Sequence, residues 1–293
     1  MTVLIEAIKK QRPNIADSTV KTYASTLSAL HKKVFGSEIA LKNFENTKKV
    51  MEHLQDKPPS TRKTVLSALY ILTGLEDYQN QMKQDIQSYK QDVSKQEMSD
   101  KQKAAFKSQE EILGKLNDLK IAADLLYKKS NLTASERNEI QNYIILALTS
   151  GVYIPPRRSL DWVHMKISNI DKEKDNYIDK QSFIFNRYKG SEKKDTQVIT
   201  IPKPLQQILK KWLKVNNSEY LLTDTQGKPL TSIKMTQRLN RILGANSSIN
   251  TLRHSYLSSK YQDTIKKNED LAKDMEAMGS STNQSKIYIQ KIE

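Results

Sequence analysis

Tyr177-Ile-Asp-Lys-Gln-Ser-Phe-Ile-Phe185, followed by Thr196-Gln-Val-Ile-Thr-Ile201, is the stretch whose period decides the fold. Here the apolar residues leave the spacing of a helix and take up that of strands. The polar run 186–195 between them, with Gly190 inside it, reads as the turn joining two strands. On either side the spacing is helical. Residues 108–129 are periodic, and Thr133-Ala-Ser-Glu136 fits a capping box that opens a helix carrying Ile140, Tyr143, Ile144, Ala147 and Leu148 on one face. That helix ends at Ser150-Gly151, and Pro155-Pro156 keeps it from resuming. Leu205, Ile208, Leu209, Trp212 and Leu213 mark a further amphipathic helix, and two or three more fill 231–291. Residues 108–293 therefore read as one domain, mostly α with a small antiparallel β-sheet.

The N-terminal part is helical throughout. Val20, Tyr23, Leu27, Leu30 and Val34 give one helix over 18–35, with Ser18 able to cap its start and Gly36 able to end it. A second helix covers 46–55, before Pro58-Pro59, and a third starts at Ser60 with Val65, Leu66, Leu69 and Leu72 on its face. Residues 1–78 make a compact all-α unit. Over 79–107 Gln, Lys, Asp and Ser dominate, and Met82, Ile86, Tyr89 and Val93 form only a thin seam. This segment is expected to be a polar helical linker, the alternative being a solvated helix within a single domain.

Length agrees with two domains, since 293 residues exceed the roughly 100–200 of one. Apolar residues are 37% of the chain, which suits an open, polar, helix-rich molecule. No stretch approaches the ~18 apolar residues of a spanning helix, so no membrane role is expected. Cysteine is absent, which excludes disulfides, zinc ribbons, thiol catalysis and iron–sulfur clusters. The four histidines, His31, His53, His164 and His254, are far apart, so neither a metal site nor any other cofactor is expected. The opening Met1-Thr-Val-Leu-Ile-Glu6 has no signal-peptide pattern, and an intracellular location is expected.

Lys and Arg number 48 against 33 Asp and Glu, a net charge of +15, which predicts attraction to a polyanion and to nucleic acid before membrane. A lysine excess also follows from an AT-rich genome. Arginine, at nine against 39 lysines, is the more informative residue.

Four clusters could carry chemistry. In Tyr153-Ile-Pro-Pro-Arg157-Arg158-Ser-Leu-Asp161-Trp162 an arginine pair follows two prolines on a rigid turn. A planar guanidinium suits a phosphate, and Asp161 could orient Arg158; a surface arginine merely paired with Asp161 is the plain alternative. In Phe185-Asn-Arg-Tyr-Lys189-Gly190-Ser a lysine at a hairpin tip could reach a DNA backbone or protonate a departing oxygen, with Lys193 and Lys194 as rivals. Ile249-Asn250-Thr-Leu-Arg253-His254-Ser-Tyr opens a helix whose positive end favours anions, and of Arg253 and His254 at most one faces a site directly. In Met278-Gly279-Ser280-Ser-Thr-Asn-Gln-Ser-Lys-Ile-Tyr288-Ile289 the glycine ends one helix and Tyr288 lies on the next segment. With thirteen tyrosines present, a core or surface role is the ordinary alternative.

The order of these clusters resembles the tyrosine recombinases of the phage-integrase family over nearly the whole length. The pieces 252–261 and 278–281 are similar in style to integrase-like proteins of large DNA viruses and their satellites. The resemblance implies a core-binding domain at 1–78, a catalytic domain at 108–293, and site-specific cutting and rejoining of DNA through a 3′-phosphotyrosyl intermediate. Arg158 matches the family's first catalytic arginine, since Arg-x-x-Asp-Trp fits its Arg-x-x-acidic-apolar pattern; Arg157 would place Leu160 at the acidic position. Lys189 matches the hairpin lysine, Arg253 the second arginine and Tyr288 the nucleophile. Asn250 stands where the family usually has His or Lys, and Ser280 where it usually has His or Trp. Both can donate hydrogen bonds to a phosphate, and neither is an acid or base at neutral pH. His254, Arg157 and Asp161 are possible supporting residues. The implied partner is double-stranded DNA, bound by a homotetramer on paired sites without metal or cofactor. The alternatives are a weakened or inactive DNA-binding accessory protein of the same fold, a topoisomerase or resolvase of the same chemistry, and a lysine-rich helical scaffold.

Overall fold

The computed structural model of the protein describes residues 1–191 and 195–289. It is mainly α-helical with one small sheet, and it divides into two compact units, Met1–Met98 and Ser99–Glu293.

The first unit comprises α1 (Thr2–Gln11), α2 (Asp17–Val34), a 3-10 turn (Leu41–Glu45), α3 (Thr47–Leu54), α4 (Pro59–Thr73) and α5 (Glu76–Ser94). Their inward faces supply one core, with Leu4, Ile8, Leu27, Phe44, Leu54, Leu66, Leu69 and Tyr78 fully buried. Ser18 does not cap α2. The helix starts a residue earlier, Ala16 is its N-cap without a side-chain bond, and the Ser18 carbonyl accepts from the Thr22 hydroxyl at 2.9 Å. Gly36 does terminate it, at φ +104° with its N–H on the His31 carbonyl. The imidazole of buried His31 fixes the chain that follows. One ring nitrogen lies 3.1 Å from the Gly36 carbonyl, and Nε2 accepts from the Ala40 N–H and Asn43 amide, at 3.3 and 3.1 Å.

The segment expected to be a linker over 79–107 is divided between the units. α5 packs along α4 and belongs to the first core through Tyr78 and Met82. A charge does much of the fastening: Arg62 Nε and Nη2 donate to the two carboxylate oxygens of buried Asp85, at 2.8 and 2.6 Å. Only the far end of the seam, Tyr89 and Val93, is open. α6 (Asp100–Ala105) then begins the second unit behind a capping box of Ser99 and Gln102.

In the second unit, α7 (Gln109–Leu126) and α8 (Ala134–Thr149) both start at capping boxes, the latter the predicted Thr133–Glu136 pair. α8 is the central rod. It is buried on more than the one expected face, since Ile145 and Leu146 are covered as fully as Ile140 and Ile144. After α9 (Ser159–Val163) come β1 (Met165–Lys166), β2 (Asn176–Asp179), β3 (Ser182–Phe185) and β4 (Gln197–Thr200), side by side in that order. The stretch 177–185 is not one strand. It folds as a hairpin about Lys180, at φ +51°, with Ile178 opposite Phe183. The sheet is mixed rather than purely antiparallel, because two-residue β1 runs parallel to β2. Trp162 of α9 meets Phe183 and Phe185 of β3 edge-on, at 5.0 and 5.4 Å, which seats the sheet on the core.

α10 (Lys203–Val215) and α11 (Ser232–Leu243) pack on α8, and α11 also on α9. α12 (Ile249–Ala277) is two helical pieces meeting at Tyr261, whose φ −120° and ψ 19° break the ladder. A 3-10 turn (Thr282–Gln284) and α13 (Ser285–Tyr288) complete the described chain. Among the described residues no helix is long and apolar enough to cross a membrane.

Candidate functional site

The site grows from the loop between α8 and α9. α8 ends in buried Ser150, and Gly151 turns the chain at φ +84°. A methyl group at Gly151 would lie 2.5 Å from Cδ2 of Tyr256, so the first turns of α12 lie directly against this loop. Ser248 caps those turns through the Thr251 N–H, at 3.2 Å. The two arginine clusters, far apart in sequence, are thereby brought together.

Their meeting point is Asp161, whose side chain is almost entirely buried. Burial raises its carboxyl above the ordinary value of 3.8, against the opposing pull of Arg157, by charge and hydrogen bond, and the charges of Arg158 and Arg253. Three arginines therefore act on one acid. Oδ2 takes the Nε–H of Arg157 at 2.8 Å, while buried Oδ1 has no hydrogen-bond partner among the described residues.

The two neighbouring arginines differ. Arg157 is fastened: besides Asp161 it donates from Nη1 to Gln197 Oε1 at 2.8 Å, and its Cζ lies 3.9 Å from the ring centre of Phe185 and 5.7 Å from that of Tyr188. Arg158 is the N-cap of α9, with extended backbone, and is exposed. Asp161 was expected to orient Arg158 or simply to pair with an arginine; its carboxyl group bonds Arg157, four residues before it, and Arg158 acts on Asp161 as a nearby charge. Arg253 is half-buried, and His254 beside it is exposed. Among the described residues neither Arg158 nor Arg253 has a side-chain hydrogen bond or ion pair. Asn250, one turn before Arg253, is exposed in the first turn of α12.

Lys189 is exposed in the turn after β3. The turn is closed by the Tyr188 hydroxyl, which donates to the Asp195 carbonyl at 2.7 Å, and by the Ser191 N–H on the Tyr188 carbonyl at 3.0 Å. Its base is tied to α9 by buried Asn176, whose amide donates to the carbonyls of Asp161 and Arg187 and accepts the Arg187 N–H at 2.8 Å. Asn176, Gln197, Gly151 and Tyr256 were missed by reading the sequence. Their partners are distant along the chain, and a lone amide, glycine or ring carries no local signal. The rivals Lys193 and Lys194 lie outside the described residues.

The last cluster stands apart. Gly279, at φ +69°, and Ser280 close α12, their N–H groups bonding the carbonyls of Glu276 and Met275 at 2.9 and 2.8 Å. Tyr288 is 55% exposed on α13, flanked by exposed Ile287 and Ile289. No hydrogen bond links Tyr288 or Ser280 with Arg158, Lys189 or Arg253 among the described residues. The structure brings together Arg157, Arg158, Asp161 and Arg253, ties the Lys189 turn to them, and leaves Ser280 and Tyr288 on a separate segment.

No family model matches the chain, and no curated protein matches it. Among solved structures the chain is similar to the XerH site-specific recombinase, in a pre-cleavage complex with its difH substrate. The TM-score is 0.49 at 16% identity, over 90% of this chain and 75% of that one.

Chemically, two arginines without side-chain partners among the described residues, beside a buried acid and with a lysine on a tethered turn, are a set of donors of the kind that suits a phosphate diester. Guanidinium groups supply fixed donors for its non-bridging oxygens. No group of histidine, aspartate and glutamate able to hold a metal ion occurs among the described residues.

Proposed function

We propose that the protein is a site-specific DNA recombinase of the tyrosine type, acting on double-stranded DNA. One observation carries this reading: the Gly151–Tyr256 contact sets the start of α12, which bears Arg253, against the loop that leads to Arg158, so that arginines from distant parts of the sequence both act on buried Asp161. In the proposed reaction the Tyr288 oxygen attacks the scissile phosphorus and the phenol gives its proton to solvent water. The P–O5′ bond breaks, and Lys189 donates a proton to the departing 5′-oxygen. Arg158 and Arg253 stabilise the charge on the five-coordinate phosphorus without having to reorganise. The 3′-phosphotyrosyl bond keeps the energy of the diester, and a second strand's 5′-hydroxyl reverses the step. Paired sites call for a homotetramer on DNA, and the likeness of 252–261 to viral integrases makes a viral or satellite genome the proposed source.

A second reading has its own support. Asn250 stands where the family usually has His or Lys and Ser280 where it usually has His or Trp, and no hydrogen bond links Tyr288 with the arginines among the described residues. On that reading the protein binds DNA as an accessory factor and does not cut it.

Covalent trapping separates the two. The protein is mixed with fragmented and nicked DNA of its own replicon in EDTA and quenched in SDS, and the linked peptide is mapped. An adduct on Tyr288 supports the recombinase. Salt-sensitive binding without an adduct supports the accessory factor, since neutralising several phosphates makes affinity fall steeply with salt in either case.

A further inference from the structure

Arg157 occupies the position beside the arginine assigned to the phosphate, yet its guanidinium is held inside the protein by two hydrogen bonds and two rings. Its guanidinium lies over the Phe185 ring at 3.9 Å with Tyr188 at 5.7 Å, and its edges bond Asp161 and Gln197. Those four partners belong to the end of β3, the turn after it, α9 and the start of β4. One planar cation therefore joins both ends of the 186–196 connection to the helix that Arg158 caps. A flexible lysine ammonium could not replace it, because stacking and two in-plane bonds require the flat fork.

We infer that Arg157 is a positioning residue, which holds the turn bearing Lys189 at a fixed place relative to Arg158 and so places the ammonium at the departing oxygen. The inference rests on the recombinase reading for its chemistry and on geometry alone for the restraint. The side-chain amide of Asn176 ties the base of the same turn to α9, donating to the carbonyls of Asp161 and Arg187. Arg157 acts one residue nearer the lysine, through the Tyr188 ring. A group misplaced by about 1 Å loses about a hundredfold in rate, and a general acid is worth about 10²–10⁴.

The test compares two DNA substrates, one ordinary and one with sulfur in place of the bridging 5′-oxygen. A thiolate leaves without being protonated, so the second substrate needs no general acid. Arg157→Lys should lower the rate of Tyr288 adduct formation by about 10–100-fold on ordinary DNA and restore it to within about threefold on the sulfur substrate. DNA affinity and its salt slope should not change. Gln197→Ala, which leaves Asp161 paired, should show a smaller loss with the same rescue and guards against a folding defect in the first variant. In both variants, amide hydrogen exchange over 186–191 should speed up.

Equal loss on the two substrates overturns the inference, as does weaker DNA binding by Arg157→Lys in proportion to its loss of rate, which would make Arg157 a DNA contact. Unchanged exchange in the turn overturns the restraint itself. Should the unaltered chain form no adduct with either substrate, it is the recombinase reading that fails, and the exchange measurement still decides whether Arg157 restrains the turn.

Discussion

The loop-and-sheet region from Gly151 to Thr200 and the segment from Tyr261 to Ile289 are built on opposite principles. In the first, side chains are held by several partners at once: Arg157 by two bonds and two rings, Asn176 by three bonds, Trp162 by two phenylalanines. In the second, Met275 is buried, while Met278, Ile287, Tyr288 and Ile289 are all more than half exposed. The residues that frame the candidate phosphate site are fixed to the scaffold, and Tyr288 is carried on a segment whose backbone bonds are those of its own short turns. Preorganised charge is worth most where it need not move.

The largest effect should separate the two regions most sharply. Tyr288→Phe should remove the covalent adduct entirely and leave DNA affinity unchanged in filter-binding or fluorescence titration. Equal loss of both would mean that the segment is part of the binding surface and would break the comparison.

Arg253→Ala should slow adduct formation by about 10²–10³, the scale of one fixed donor to a developing charge. Single-turnover kinetics at saturating DNA would read it. A change confined to affinity would move Arg253 from chemistry to binding.

On the stability side, Trp162→Ala should cost about 3–5 kcal/mol and Ile287→Ser no more than about 0.5 kcal/mol, measured by urea denaturation. Both tryptophans, Trp162 and Trp212, lie in the second unit, so for Ile287→Ser the fluorescence midpoint is a direct reading. Comparable losses would mean that the terminal segment is packed as firmly as the core.

The first unit offers a fixed charge of its own. Burial pushes the Asp85 carboxyl up, but bonds from Arg62 and Gln81 and the Arg62 charge together bring it below the ordinary 3.8. A carboxylate whose folded value is depressed stabilises the fold above its unfolded value, and that contribution fades as pH falls through the folded value. Unfolding followed by helical circular dichroism should therefore show Asp85→Asn to be about 3 kcal/mol less stable near pH 7. The gap should narrow below about pH 4. A gap constant with pH would show that the pair holds α4 to α5 by shape and not by charge.

What the sequence made legible follows from range. The main helices, the Thr133 capping box and the glycine stops at 36 and 279 rest on residues within a turn or two, and all but the start of α2 are close to where the local pattern puts them. The hairpin inside 177–185 was hidden because Lys180 and Gln181 carry no glycine or asparagine to mark a turn. α5 looked like a linker because the residue that fastens it, Asp85, is a charge whose partner lies on the preceding helix. At the site, Arg158, Lys189, Arg253 and Tyr288 were singled out by order and by resemblance. That Asp161 belongs to Arg157 was not legible, because the rings that hold Arg157 come from β3 and the turn after it.

The contact between Gly151 and Tyr256 has a consequence for descent. A side chain at 151 meets two obstacles at once, a left-handed backbone and a ring 2.5 Å away. Shrinking residue 256 removes only one of them. Lineages that keep the α12 start against this loop should therefore hold glycine at 151 while 256 drifts among ring-bearing and smaller residues. One that abandons the glycine should have rebuilt the loop by insertion or deletion.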